Sequence, residues 1–165
     1  MFPTDLFTRA EALLAAYRAH GWKIATAESC TGGLVAALLT EIPGSSDVVD
    51  RGFVTYSNDA KMACLGVPAG ALAQFGAVSE IVVRAMAEGA IDASIAAAAV
   101  AITGVAGPGG GSDQKPVGLV HFAVATRGGP TLHCEMRFGD IGRGPVRMAS
   151  VATALDLLEA AIRPA

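Results

Sequence analysis

Charge is scarce in this chain: 16% of its 165 residues are Asp, Glu, Lys or Arg, and the formal net charge is −3. No Lys/Arg cluster marks a phosphate-tracking groove, so a nucleic-acid partner is not expected. Cysteine is also sparse. Three thiols (Cys30, Cys64, Cys134) are an odd number without metal-ligand spacing, which argues against a disulfide framework and suits a reducing cytoplasm. No apolar run approaches the ~20 residues needed to cross a bilayer, so no membrane partner is expected. The start, Met1-Phe2-Pro3-Thr4-Asp5, lacks the basic and apolar stretches of a signal peptide. Missing too are a Gly-x-Ser-x-Gly elbow, a Walker A loop and a Gly-x-Gly-x-x-Gly fingerprint, which removes the main support for α/β-hydrolase, ATP and dinucleotide readings.

What the chain does have is apolar residues, 52% of the total, enough for one domain over residues 1–165 with a proper core. Residues 4–20 read as a helix with Leu6, Ala10, Leu13, Leu14 and Tyr17 as its stripe, capped by Thr4 or Asp5 and ended by Gly21. Residues 23–42 read as strand, turn and helix. A second strand is expected at 52–56, a short helix carrying Lys61 after it, irregular chain at 67–78, and a helix from Glu80 to about Ala90 capped by Ser79. The run 97–103 is apolar almost throughout, as in a central strand buried on both faces. A glycine-rich loop, 104–118, leads to strands at 119–127 and 131–138 joined through Gly128-Gly129-Pro130. A helix over 145–163 completes a three-layer α/β/α sandwich with a mixed sheet. In such sheets ligands gather beyond the carboxyl ends of parallel strands.

The chemistry concentrates in Glu28-Ser29-Cys30-Thr31-Gly32-Gly33, between the first expected strand and its helix. Helix amino termini leave N–H groups unpaired and favour negative charge, so this turn could hold an anion or an oxyanion. The plainer reading is that Ser29 or Thr31 caps the helix. Ser29 becomes a nucleophile only if a base takes its proton. His20, His121 and His133 are badly placed for that, which leaves an amine kept neutral by its surroundings. Lys61 is the candidate, near a helix amino terminus whose dipole lowers its pKa, and Tyr56 could relay the proton. The plainer alternative for Lys61 is a solvated surface lysine. Gly104 and Gly107 belong to a second glycine-rich stretch after Thr103, which either brings backbone amides near an anion or is a bare loop. Arg147 shares helical spacing with Val151, Leu155 and Leu158, so it borders a buried stripe and needs an anionic partner such as Glu28, Asp140 or a substrate phosphate. Arg143 could assist.

Together these segments resemble a known family. Thr26-Ala27-Glu28-Ser29-Cys30-Thr31-Gly32-Gly33, Tyr56-Ser57-Asn58-Asp59-Ala60-Lys61, Gly76-Ala77-Val78-Ser79-Glu80 and Thr103-Gly104-Val105-Ala106-Gly107-Pro108-Gly109-Gly110, followed by Lys115-Pro116-Val117-Gly118, are similar to the carboxy-terminal domain of competence/damage-inducible protein A. The resemblance covers nearly the whole chain in order. It implies an anticodon-binding-domain-like fold. It also implies an amidohydrolase that deamidates nicotinamide mononucleotide to nicotinate mononucleotide and ammonia. Larger members carry an amino-terminal pyrophosphatase-type domain, for which these 165 residues have no room. Where the family tends to read Gly-Asp-Arg before the last helix, this chain reads Gly139-Asp140-Ile141-Gly142-Arg143. The phosphate-side arginine is therefore Arg143 or Arg147.

The resulting expectation makes Ser29, Lys61 and Tyr56 catalytic. Glu28, Cys30, Thr31, Gly32, Thr103, Gly104, Gly107, Arg143 and Arg147 line the substrate site. Amides near Cys30 to Gly32, or at Gly104, receive the oxyanion. No step requires a metal or cofactor, and the expected partner is a small nucleotide, with a homo-oligomer possible. Two other classes compete: a non-catalytic nucleotide-binding or regulatory module, and an interaction protein built on Ala-rich helices. Ammonia release separates the enzyme from the first.

Overall fold

A computed structural model describes residues 2–163. Six α-helices and five strands follow in the order α1 (Thr4–Ala19), β1 (Ile24–Glu28), α2 (Leu34–Glu41), β2 (Val49–Val54), α3 (Asn58–Leu65), α4 (Ala69–Phe75), α5 (Glu80–Asp92), β3 (Ala98–Gly104), β4 (Leu119–Thr126), β5 (Thr131–Arg137) and α6 (Arg143–Ile162). The sheet order is β2-β1-β3-β4-β5. β1 runs parallel to β2 and to β3, whereas β4 and β5 are antiparallel. The expected mixed α/β/α sandwich is therefore present, with α1, α2 and α6 on one face and α3, α4 and α5 on the other.

Side-chain alternation makes the two faces of the sheet different. Ile24, Val100, Ile102, Val120, Phe122 and Val124 project towards α1, α2 and α6. Their neighbours Ala25, Ala27, Ala99, Ala101, Ala123 and Ala125 project the other way. Six alanines leave room for α5 to lie close to the sheet. The same closeness holds between α5 and the end of α3, where a Cβ on Gly89 would stand 1.9 Å from the Leu65 carbonyl oxygen. On the opposite face α1 and α6 are joined by Tyr17, whose buried hydroxyl donates to the Leu158 carbonyl at 2.8 Å, and by Arg9 bridging Asp156 and Glu159.

Three details differ from the sequence expectation. Residues 69–75 form α4 rather than irregular chain. Its only buried residue is Leu72 and Gly70 interrupts it, so no stripe announced it. β2 begins at Val49, earlier than expected: Val49 pairs with Ile24 and Arg51 with Ala25, a register shift leaves Asp50 between them without a partner on β1, and the edge position leaves Arg51 exposed. No side chain caps α1; Pro3 precedes its first turn. Among the described residues no helix is long and apolar enough to cross a membrane.

Candidate active site

The strand order reverses at β1, which has a parallel neighbour on each side, and such a switch point opens a crevice at the strands' carboxyl ends. Glu28 and Ser29 lie there as consecutive residues, and alternation sends them to opposite faces. Glu28, fully buried, turns towards α2 and accepts from the N–H groups of Gly33 (3.1 Å), Val35 (3.1 Å) and Ala36 (2.9 Å). That carboxylate is the helix cap, so neither Ser29 nor Thr31 serves as one. This corrects two expectations. Glu28 has no free oxygen chemistry to offer a substrate, and the first amides of α2 are not open to an external anion, because a charge from within the chain already occupies them.

Ser29 turns towards α3. Its N–H donates to Ile102 at 3.0 Å, and its Oγ lies 2.9 Å from Lys61 Nζ. Lys61 is 1% exposed. Its α3 is held by Ser57, whose hydroxyl accepts from Ala60 N–H. The amine donates to the Thr55 carbonyl at 2.7 Å and, among the described residues, has no carboxylate partner. Burial without a counter-charge pushes its pKa below the ordinary lysine value. Desolvation is the largest cause. The surface-lysine alternative does not hold. A neutral amine in this place can accept the serine proton and leave the third hydrogen-bonding direction on Thr55.

The neighbouring thiol is in a different condition. Burial raises the Cys30 pKa to about 11, so it stays protonated at neutral pH and makes a poor nucleophile. In the turn 29–32 the Gly32 N–H donates to the Ser29 carbonyl at 3.0 Å, with Gly32 at φ +59°. Gly32 therefore has no amide to give an oxyanion. The N–H groups of Cys30 and Thr31 meet no acceptor oxygen among the described residues. The buried Thr31 and Thr55 hydroxyls are likewise unpartnered.

Of the remaining expected residues, Thr103 is buried and its hydroxyl donates to the Ala77 carbonyl at 2.9 Å. It ties β3 to the loop before α5 through its proton. Gly104 is still within β3, paired with Val120, and a Cβ there would come 2.7 Å from the Val120 side chain. Its smallness serves sheet packing. Gly107, at φ +80°, offers its carbonyl to Arg143 Nη1 at 2.9 Å. The other end of that guanidinium donates to the Tyr56 hydroxyl at 2.8 Å. The Tyr56 phenol is thus engaged at the rim, exposed, and hydrogen-bonds neither Ser29 nor Lys61. Arg147 was expected to face a carboxylate or a phosphate. It is half-buried and grips the carbonyls of Cys30 (Nε, 3.1 Å) and Thr31 (Nη2, 3.0 Å). Backbone carbonyls as an arginine's partner leave no trace in the sequence. Thr55, which orients the amine through its main chain, was missed for the same reason.

Residues 7–162 match the family model described as the CinA C-terminal domain. The chain is 50% identical over 159 residues to the nicotinamide-nucleotide amidohydrolase PncC of Escherichia coli, covering 96% of this chain and 95% of that protein. It is 52% identical over 151 residues to a CinA-like protein of Anaeromyxobacter dehalogenans, covering 92% of this chain but only 36% of that protein's length. Among solved structures, the competence/damage inducible protein CihA of Agrobacterium tumefaciens is 55% identical, with a TM-score of 0.97 and 99% of each chain covered. A CinA superfamily protein from Escherichia coli is 36% identical, with a TM-score of 0.89 over 96% of this chain and 92% of that one.

Proposed function

The chain belongs to the CinA C-terminal domain family, and from that membership we propose that it is an amidase that deamidates nicotinamide mononucleotide through a serine nucleophile. The observation that carries the reading is the buried 2.9 Å contact between Ser29 Oγ and Lys61 Nζ. An amine with no counter-charge and a depressed pKa, set against a hydroxyl, is the pairing that serine–lysine acyl transfer requires. The name of the near full-length relative PncC supports the substrate.

In this scheme Ser29 Oγ attacks the carboxamide carbon as its proton passes to Lys61 Nζ. The carbonyl oxygen becomes an oxyanion facing the Cys30 and Thr31 N–H groups, which meet no acceptor oxygen among the described residues. Lys61 returns the proton to the departing nitrogen, and ammonia leaves an ester on Ser29. Water, deprotonated by the same amine, opens that ester to nicotinate mononucleotide. Arg143 stands at the rim with its cation available to a phosphate, and Tyr56 beside it presents an aromatic face suited to a pyridinium ring. Gly107 anchors Arg143 from the glycine-rich loop.

Purified protein incubated with nicotinamide mononucleotide should release ammonia, and Ser29→Ala should not, while still binding the nucleotide. Ammonia release by Ser29→Ala at the wild-type rate would overturn the nucleophile. Absence of release by the wild type, with tight nucleotide binding retained, would favour the non-catalytic module.

A further inference from the structure

The turn that carries Ser29 contains three successive peptide planes, and each of their carbonyls is held. The Ser29 carbonyl accepts from Gly32 N–H, and the Cys30 and Thr31 carbonyls accept from Arg147 Nε and Nη2. In a trans peptide the carbonyl and the following N–H point in opposite directions. The only cis bond among the described residues is Gly107–Pro108, so the peptides of this turn are trans. Fixing the Cys30 carbonyl therefore fixes the Thr31 N–H, and the Ser29 carbonyl fixes the Cys30 N–H in the same way. The Thr31 carbonyl sets the Gly32 N–H, which closes the turn onto Ser29. Arg147 thus governs two of the three planes, although it arrives from α6, more than a hundred residues along the chain.

The chemistry of that grip is specific. A guanidinium presents parallel N–H groups in one plane, which matches two consecutive carbonyls, and an ammonium has no such fork. A cation on the Cys30 oxygen also draws electron density from that peptide, which makes its N–H a stronger donor. Fit is close: a Cβ on Gly32 would stand 3.4 Å from Arg147 Nη2, at a φ of +59° that suits glycine. Among the described residues Arg147 has no carboxylate partner, so its charge is directed at the turn.

We propose that Arg147 is a positioning residue that aligns and polarises the Thr31 amide as an oxyanion donor, not a contact to the substrate phosphate. The inference rests on the amidase reading above and assigns a distinct task within it. Removing one oxyanion donor outright costs typically 10²–10³ in rate. Misaligning it through Arg147→Gln should cost on the order of tenfold to a hundredfold in kcat, with KM changed less than about threefold. Arg147→Lys, able to reach one carbonyl but not both, should recover part of the loss. The rising limb of the pH profile should stay where it is in the wild type, since Lys61 keeps its surroundings. A phosphate contact predicts the reverse split, with KM raised tenfold or more and kcat kept, and that result would overturn the proposal while leaving the amidase reading intact.

A second measurement needs neither a variant nor nicotinamide mononucleotide. Pyridine-3-boronic acid can form a tetrahedral anionic adduct on a serine oxygen. In the wild-type protein its binding should move the Thr31 amide proton downfield in a ¹H–¹⁵N spectrum and slow its exchange. If neither variant folds, this resonance decides: no downfield shift on adduct formation sinks the proposal. A shift at Thr31 in a protein that releases no ammonia would fault the substrate assignment and not the role of Arg147.

Discussion

Replacing Lys61 with methionine keeps an unbranched side chain of similar length and removes the buried amine. Two hydrogen bonds go with it, to Ser29 Oγ and to the Thr55 carbonyl. The orphaned carbonyl should cost about 1–3 kcal/mol. Against this, the wild-type fold carries its own penalty at neutral pH, because burial disfavours the charged amine. Every pKa unit of that depression corresponds to about 1.4 kcal/mol. The two effects oppose each other, so at pH 7 Lys61→Met should be close to the wild type in stability or above it. The sign of the pH dependence follows from proton counting. Between the folded and unfolded pKa values the unfolded chain holds a proton that the folded chain has released, so wild-type stability rises with pH. The neutral amine's contribution is complete above the ordinary lysine value of roughly 10.4 and is lost as pH falls through the lowered one. Urea melts at a series of pH values from 6 to 10 should therefore show the wild type gaining on the variant as pH increases. Activity should behave quite differently. Loss of a general base costs on the order of 10²–10⁴, and the double variant with Ser29→Ala should be no worse than either alone. In the wild type kcat/KM should rise with pH and level off below the ordinary lysine range. A stability gap that ignores pH, together with activity within tenfold of the wild type, would refute the argument for an uncharged, working amine.

Three other perturbations test the surroundings. Glu28→Ala removes three charge-assisted hydrogen bonds at the start of α2 and should lower stability by about 3 kcal/mol, or roughly 6–12 °C in melting temperature; a melting temperature within 2 °C of the wild type, by about the same conversion, would mean the cap matters little. Gly89→Ala places a methyl group against the Leu65 carbonyl and should destabilise by at least about 1–3 kcal/mol, as overpacking does, read by chemical denaturation. At pH 7 iodoacetamide should modify exposed Cys64 quickly and buried Cys30 hardly at all, because that thiol ionises only near pH 11; peptide mass mapping that finds Cys30 labelled first would point to a thiol nucleophile in place of Ser29.

Much of this architecture is legible from side-chain periodicity. The continuous apolar run of β3 marks a strand covered on both faces, and the stripe of Leu13, Leu14 and Tyr17 marks α1. α4 is not legible, since a seven-residue helix with one buried side chain has no period to read. At the site, Ser29 and Lys61 could be nominated because a hydroxyl and an amine advertise their chemistry by residue type. Their 2.9 Å contact joins β1 to α3 across 32 positions, which no local pattern specifies. Glu28 misled for an instructive reason. A carboxylate beside a nucleophile looks like a substrate contact, but alternation along β1 turns it to the far face of the sheet, where three helix amides need it. The bond from the Thr103 hydroxyl to Ala77 was equally hidden, because the sequence cannot nominate a carbonyl partner. Arg147 was rightly read as bordering a buried stripe and wrongly given an acidic partner, because main-chain oxygens carry no residue code.

The opposed directions of positions 28 and 29 restrict how β1 can change over time. One residue inserted into or deleted from that strand would exchange the two side chains, facing a carboxylate towards the amine and a hydroxyl towards the helix start. Only changes of two residues would preserve the arrangement, and those would move the turn by a full pleat relative to β2 and β3. The length of this strand is therefore fixed by parity as well as by reach, even though its alanines are chemically plain.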